Sequence, residues 1–147
     1  MAKSIRIEIV TPERLFYDGE IELVIVRTLT GDEGFMARHA WACKLLEVGE
    51  IWIREKGAVA DNFKVAASAG GFIDVKDTIT IFTDAAEWPD EIDIERSKQH
   101  KEIAEAYISE HKFMSNLDEE FLHHRISLNK ALTRMQVASG GSRKKNI

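Results

Sequence analysis

The 147-residue chain is 44% hydrophobic and 31% charged, which suits one medium domain or two very small ones with a real apolar core. Its net charge of −5 argues against nucleic acid as a partner. The single Cys43 excludes an internal disulfide and points to a reducing compartment. No apolar run approaches the ~20 residues that span a bilayer, so no direct membrane insertion is expected and any membrane association goes through a protein partner.

Residues 1–10 alternate apolar and charged side chains, unlike the unbroken apolar block of a signal peptide. The same period of two continues to about Thr83. Ile5, Ile7 and Ile9 are followed by Ile21, Leu23 and Ile25, then Ile51 and Ile53, Phe63 and Val65, and Ile79 and Ile81. Turn signals such as Asp18-Gly19, Gly31-Asp32, Lys56-Gly57, Gly70-Gly71 and Lys76-Asp77 separate these runs. Short, β-branched, turn-punctuated segments predict a small all-β sandwich or barrel of roughly eight to ten strands.

After Trp88-Pro89 the period changes. Asp93 is placed to cap a helix over 94–111, with Ser97, His100 or Lys101, Ala104, Tyr107 and Ile108 facing inward. Asn116 reads as a second cap, with Glu119 three places on. A second helix is expected over 118–138, with Phe121, Leu128, Leu132 and Met135 on one stripe. The short connection makes the two an antiparallel hairpin. The domains expected are a β-sandwich over 1–88, an α-helical hairpin over 89–138 and a flexible basic tail over 139–147. Glu95 to Glu102 carries no large apolar side chain, so the hairpin has little to glue it down. Weak docking allows a population shift when something else binds the helices better. Charge adds to this picture. From Lys112 onward seven basic residues stand against three acids, a balance of +4 that leaves −9 on residues 1–111. A basic end on an acidic chain suits an acidic protein surface.

Five stretches carry a resemblance. Val10-Thr11-Pro12-Glu13-Arg14-Leu15-Phe16, Gly31 to Ala40 with its closing His39-Ala40, Ala69-Gly70-Gly71-Phe72-Ile73-Asp74-Val75, Thr83-Asp84-Ala85-Ala86-Glu87 and Glu91-Ile92-Asp93-Ile94-Glu95-Arg96 resemble, in order, the epsilon subunits of bacterial F-type ATP synthases. The likeness runs from about Ile5 to Ala138. It implies a ten-stranded β-sandwich followed by a C-terminal helical hairpin. It also implies a non-catalytic rotor subunit, peripheral on the cytoplasmic face of the cell membrane, whose sandwich binds the gamma subunit and rests on the c-subunit ring. Asp32 and His39 match the ring-facing loop. The family's prolines near Ala37 and Trp41 are missing, which predicts a freer loop and local packing of Trp41.

The resemblance further implies that the hairpin can extend into the catalytic head. There the hairpin would lie among the alpha and beta subunits, and Arg125, Lys130 and Arg134 would meet acidic segments of the beta subunits and block rotation. A cluster is needed, because exposed charge pairs contribute little singly. No cofactor is required, but some members bind a regulatory ATP between sandwich and hairpin. Glu87, Ile92, Asp93, Arg96 and Arg134 match that pattern, Ser97 replaces an alanine, Ile103 stands where a phosphate-binding arginine can occur, and Lys130 replaces another. Lysine keeps the charge but lacks the arginine fork, so weak ATP binding or none is expected.

Bland readings compete with each of these. Asp93 is equally a helix cap and Arg96 a solvated charge. His123 and His124 point about 100° apart on a helix and have no third ligand at metal spacing, so no metal is expected. Gly70-Gly71 lacks the Lys-Ser/Thr of a phosphate loop and reads as close backbone packing. The rival to the whole reading is a stand-alone β-sandwich ligand-binding domain or enzyme with a helical appendage.

Overall fold

The computed structural model describes residues 3–113 and 118–140. The β part contains β1 (Ile5–Val10), β2 (Leu15–Thr28), β3 (Gly31–Phe35), β4 (Ala42–Leu46), β5 (Gly49–Glu55), β6 (Lys64–Ser68), β7 (Gly71–Val75), β8 (Ile79–Thr83) and β9 (Ala86–Glu87). A 3-10 turn (Pro89–Glu91) leads to α1 (Ile94–Glu110) and α2 (Glu119–Ala138).

The strand order is β1-β8-β7-β4-β2-β5-β6-β9, with β3 paired to β2 and β1 also paired to β2. One long strand therefore serves both layers. The first half of β2 runs antiparallel to β1, with Ile21 opposite Ile5. Its second half pairs with β5, with Val24 opposite Ile53, and with β3. A register shift between Ile21 and Leu23 marks where it changes neighbours, as an irregularity that bends a strand does. Nine strands are described instead of the ten expected, a minor difference in a sandwich with one such shared strand.

The alternation seen in the sequence sorts side chains as it should. Ile7, Ile9, Ile21, Val24, Val26, Phe35, Ile51, Ile53, Ile73, Val75, Ile79 and Ile81 are almost wholly buried between the layers. Each such side chain contributes about 1.5–3 kcal/mol on burial. Gly71 is required by contact: it has φ +142°, and a Cβ there would lie 1.9 Å from the Phe82 carbonyl oxygen. The glycine pair thus lets β7 run against β8, with Gly71 opposite Thr83.

α1 starts where Asp93 accepts a hydrogen bond from the Arg96 amide at 3.0 Å. Ser97 and Ala104 are its buried residues, with His100, Lys101, Tyr107 and Ile108 half-buried, the stripe expected. α2 differs from expectation in two ways. Its cap is Asp118, whose Oδ1 accepts from the Phe121 amide at 2.9 Å; Asn116 lies outside the described residues, as do Arg143, Lys144 and Lys145 of the basic tail. The buried stripe holds Phe121, Ala131 and Val137, whereas Leu132 is 42% exposed. Three of the five residues buried on the two helices, Ser97, Ala104 and Ala131, are small, and small residues are what lets helix backbones approach closely.

α2, the second helix, is the one that lies along β5 and β6, and α1 packs on α2. The junction is a separate small cluster of Ala67, Ile92 and Val137, with Val65 and Ala138 at its edge. It does not merge with the main core.

Candidate functional site at the sandwich–hairpin junction

Three elements meet where the hairpin leaves the sandwich. β9 brings Glu87, the cap and first two turns of α1 bring Asp93, Arg96, Ser97 and His100, and the last quarter of α2 brings Arg134. With Glu91 these residues line one cleft of about 320 Å³. Lys130, one turn before Arg134, faces a neighbouring narrow crevice with Ser68, Ala69, Ala85, Glu87 and Thr133. Glu87, Asp93, Arg96 and Arg134, four of the residues compared with a nucleotide site, therefore share one cleft, and Lys130 adjoins it.

The local chemistry is largely self-satisfied. Arg134 donates from Nε to Glu87 Oε1 at 2.5 Å, with both side chains about a quarter exposed. Asp93 is occupied as the α1 cap. The Ser97 hydroxyl donates to the Asp93 carbonyl at 2.9 Å. Glu91 is the group the sequence reading missed. Its Oε1 accepts from the Trp88 amide at 2.9 Å, and Arg14 Nη2 reaches its two oxygens at 2.9 and 2.7 Å. The Trp88 amide first, and then Arg14, hold its carboxyl below the usual glutamate range. The available signal was Pro89 followed two residues later by Glu91, which suits a tight turn whose acid reaches back to a preceding amide.

With Glu87, Glu91 and Asp93 against Arg96 and Arg134, the cleft holds more carboxylates than arginines. It has the volume of a modest ligand site and two guanidinium groups suited to phosphate. Arg134 is already engaged by Glu87 in this state.

The other candidate residues lie apart. Asp32 is not in a loop but in β3, and Arg27 on β2 donates to it from Nε at 3.0 Å. The pairing of β2 with β3 turns that segment into a hairpin. His39 sits beyond the far end of β3, its ring edge-on to Phe35 and its Nδ1 2.7 Å from the Ala40 carbonyl. Arg38 beside it has φ +68°, so the loop makes a left-handed turn there. Trp41 is 69% exposed and stays outside the core, where local packing was expected. Arg125 lies on the exposed side of α2, nine residues before Arg134 and so about 13 Å along the helix axis.

A second feature is an apolar outer face. Phe72 on β7 and Phe82 on β8 stack at 4.8 Å and are about 40% exposed, and Leu45 on β4, opposite Phe72, is 62% exposed. Contiguous apolar patches of this kind mark interaction surfaces.

Residues 4–89 match the family model described as the beta-sandwich domain of the ATP synthase delta/epsilon chain. The ATP synthase epsilon chain of Alkaliphilus metalliredigens is 45% identical over 106 residues, covering 71% of this chain and 76% of that one. That of Caldanaerobacter subterraneus subsp. tengcongensis is 36% identical over 141 residues, covering 95% and 96%. The fold is similar to a chain in the Euglena gracilis mitochondrial ATP synthase OSCP/F1/c-ring assembly, with a TM-score of 0.72, 22% identity, and coverage of 88% of this chain and 78% of that one. The family model covers the sandwich and the Caldanaerobacter relative nearly the whole chain, so the chain belongs to the epsilon chain family of the F-type ATP synthase.

Proposed function

We propose that the chain is a non-catalytic part of the central stalk, peripheral on the cytoplasmic face of the membrane, which couples the c-subunit ring to the catalytic head and brakes ATP hydrolysis with its hairpin. The observation that carries the braking role is the junction. Three buried apolar residues, Ala67, Ile92 and Val137, and the Arg134–Glu87 pair join hairpin to sandwich, apart from the main core. Burial on this scale supports weak docking, and a weakly docked element moves when a partner binds its other state better.

The partners follow from the resemblance and from surface chemistry. The Leu45, Phe72 and Phe82 face suits the gamma subunit, since it is apolar and uncovered. The loop bearing His39, with exposed Met36 and Trp41, suits the c-subunit ring, and Asp32 offers a polar contact once Arg27 is displaced. In the extended state the hairpin would meet the alpha and beta subunits, with Arg125, Lys130 and Arg134 contacting acidic segments of the beta subunits. ATP, bound weakly by Arg96 and Arg134 in the junction cleft with Lys130 beside it, would favour the docked state.

Mixing the chain with purified gamma subunit and running size exclusion tests the assignment. Co-elution is expected, with Phe82→Glu abolishing it. Separate elution, with no effect on the ATPase activity of the catalytic complex, would instead support a stand-alone β-sandwich domain.

A further inference from the structure

β8 runs from Ile79 to Thr83 and on towards the junction, so its start lies at the end of the sandwich away from the hairpin. There the start of β1, the β3–β4 loop and the β7–β8 turn enclose a cleft of about 510 Å³. Lys3 and Arg6 come from the first, Arg38, His39 and Trp41 from the second, and Lys76 from the third. Glu20 and Asp77 are the carboxylates on its wall. Four full cations thus face two acids, within residues 1–111 that carry −9 in all. A local reversal of sign on an acidic surface draws in an anion.

These cations differ in how far they are already satisfied. Arg6 donates to both Asp18 oxygens at 3.0 Å and meets Glu8 at 3.0 Å, so it belongs to the wall. Lys76 lies 3.6 Å from Asp74 with its side chain 59% exposed, a loose pair. Lys3 and Arg38 are exposed and have no ion pair among the described residues. Arg38 is also the only non-glycine residue at positive φ among the described residues, at +68°, and such strain gathers at ligand-binding sites. His39 Nδ1 donates to the Ala40 carbonyl at 2.7 Å, which leaves Nε2 open to the cleft's occupant. The same loop holds Trp41 at 69% and Met36 at 52% exposure.

We propose that this cleft binds the phosphate of an anionic phospholipid headgroup. Lys3, Arg38 and Lys76 meet the phosphodiester, Arg38 through its planar fork. The Trp41 ring lies beside it at the headgroup level, where indole rings collect. Basic side chains at a membrane surface are drawn to anionic lipid without any segment entering the bilayer. A soluble phosphate would use the same cations but leave exposed Trp41 and Met36 idle, so the lipid is the better-matched source. That this end reaches the membrane rests on its proposed placement against the c-subunit ring; the preference for an anion rests on the cleft's own side chains.

NMR of the 15N-labelled full chain at low salt tests it. The probe is monomeric dihexanoyl phosphatidylglycerol, with dihexanoyl phosphatidylcholine and glycerol phosphate as references. Phosphatidylglycerol is expected to shift the amides of Arg38, His39 and Lys76 and the indole of Trp41, and added salt should reverse the shifts. Arg38→Gln/Lys76→Gln should weaken binding about tenfold, with the rest of the spectrum unchanged. Trp41→Ala should weaken phosphatidylglycerol but not glycerol phosphate. Equal shifts with phosphatidylcholine would mean apolar adsorption on Trp41. Glycerol phosphate shifts as large as those of the lipid would mean a free-phosphate site. Either result, no shift at these residues, or unchanged affinity in the double variant overturns the proposal. The titration is read on the chain alone, so its failure leaves the stalk assignment standing, and failure to co-elute with gamma leaves the lipid shifts intact.

Discussion

Arg134 of α2 and Glu87 of β9 are 47 residues apart in sequence yet joined at 2.5 Å, a direct charge link between the second helix and the sandwich. Breaking it should loosen the hairpin without unfolding the sandwich. A double-mutant cycle with Arg134→Ala and Glu87→Gln is expected to give a coupling of about 1 kcal/mol, as for a partly exposed pair. The check is hairpin opening by hydrogen exchange, with α2 exchanging faster and β5 unchanged.

Freed from Glu87, Arg134 also becomes available to phosphate. Calorimetry with ATP should therefore give weak heat on the unaltered chain, more on Glu87→Gln, and none on Arg96→Ala. Equal titrations for all three would leave Asp93 and Arg96 as a helix cap and a solvated charge.

The hinge carries its own pH dependence. Glu91 is held below the ordinary glutamate range by the Trp88 amide and Arg14. A depressed folded value means the stabilisation is present above the unfolded value, about 4.3–4.5, and is lost as pH falls through the folded value. Thermal melts between pH 6 and 3 should show the unaltered chain losing more of its Tm than Glu91→Gln, with the two curves converging at the acid end. Parallel curves would contradict the assignment.

Gly71→Ala is expected to be severe. Its Cβ would fall 1.9 Å from the Phe82 carbonyl oxygen, with φ at +142°, so β7 cannot keep its pairing with β8. A loss of about 3 kcal/mol or more is expected, seen as a lower urea midpoint. Gly140→Ala, with open space around it, should cost far less.

Deleting residues 90–147 removes the hairpin but none of the main core. The shortened chain should still fold and join the stalk, and ATP hydrolysis by the assembled complex should rise. Unchanged hydrolysis in an assembled complex would remove the brake from this account.

The sequence by itself determined the elements. Period two in Ile5 to Ile9 and Ile79 to Ile81 with β-branched side chains favours strands, and Asp93 before a run of good helix formers favours a helix start; these are local preferences, legible without a partner, although the Asp18-Gly19 turn signal did not break the 14-residue β2. The sequence also showed that α1 had little apolar surface to bury. Tertiary structure decided which elements touch. That α2 docks on the sheet, that Ala131 is buried while Leu132 is exposed, that Asp32 pairs with Arg27 across a strand hairpin, and that Glu91 completes the cleft all depend on distant surfaces meeting. Close helix approach selects the small side chain over the large one, and a carboxylate finds its donor only after the backbone has brought the two together. Such choices are settled by packing between layers, which no local window of residues encodes.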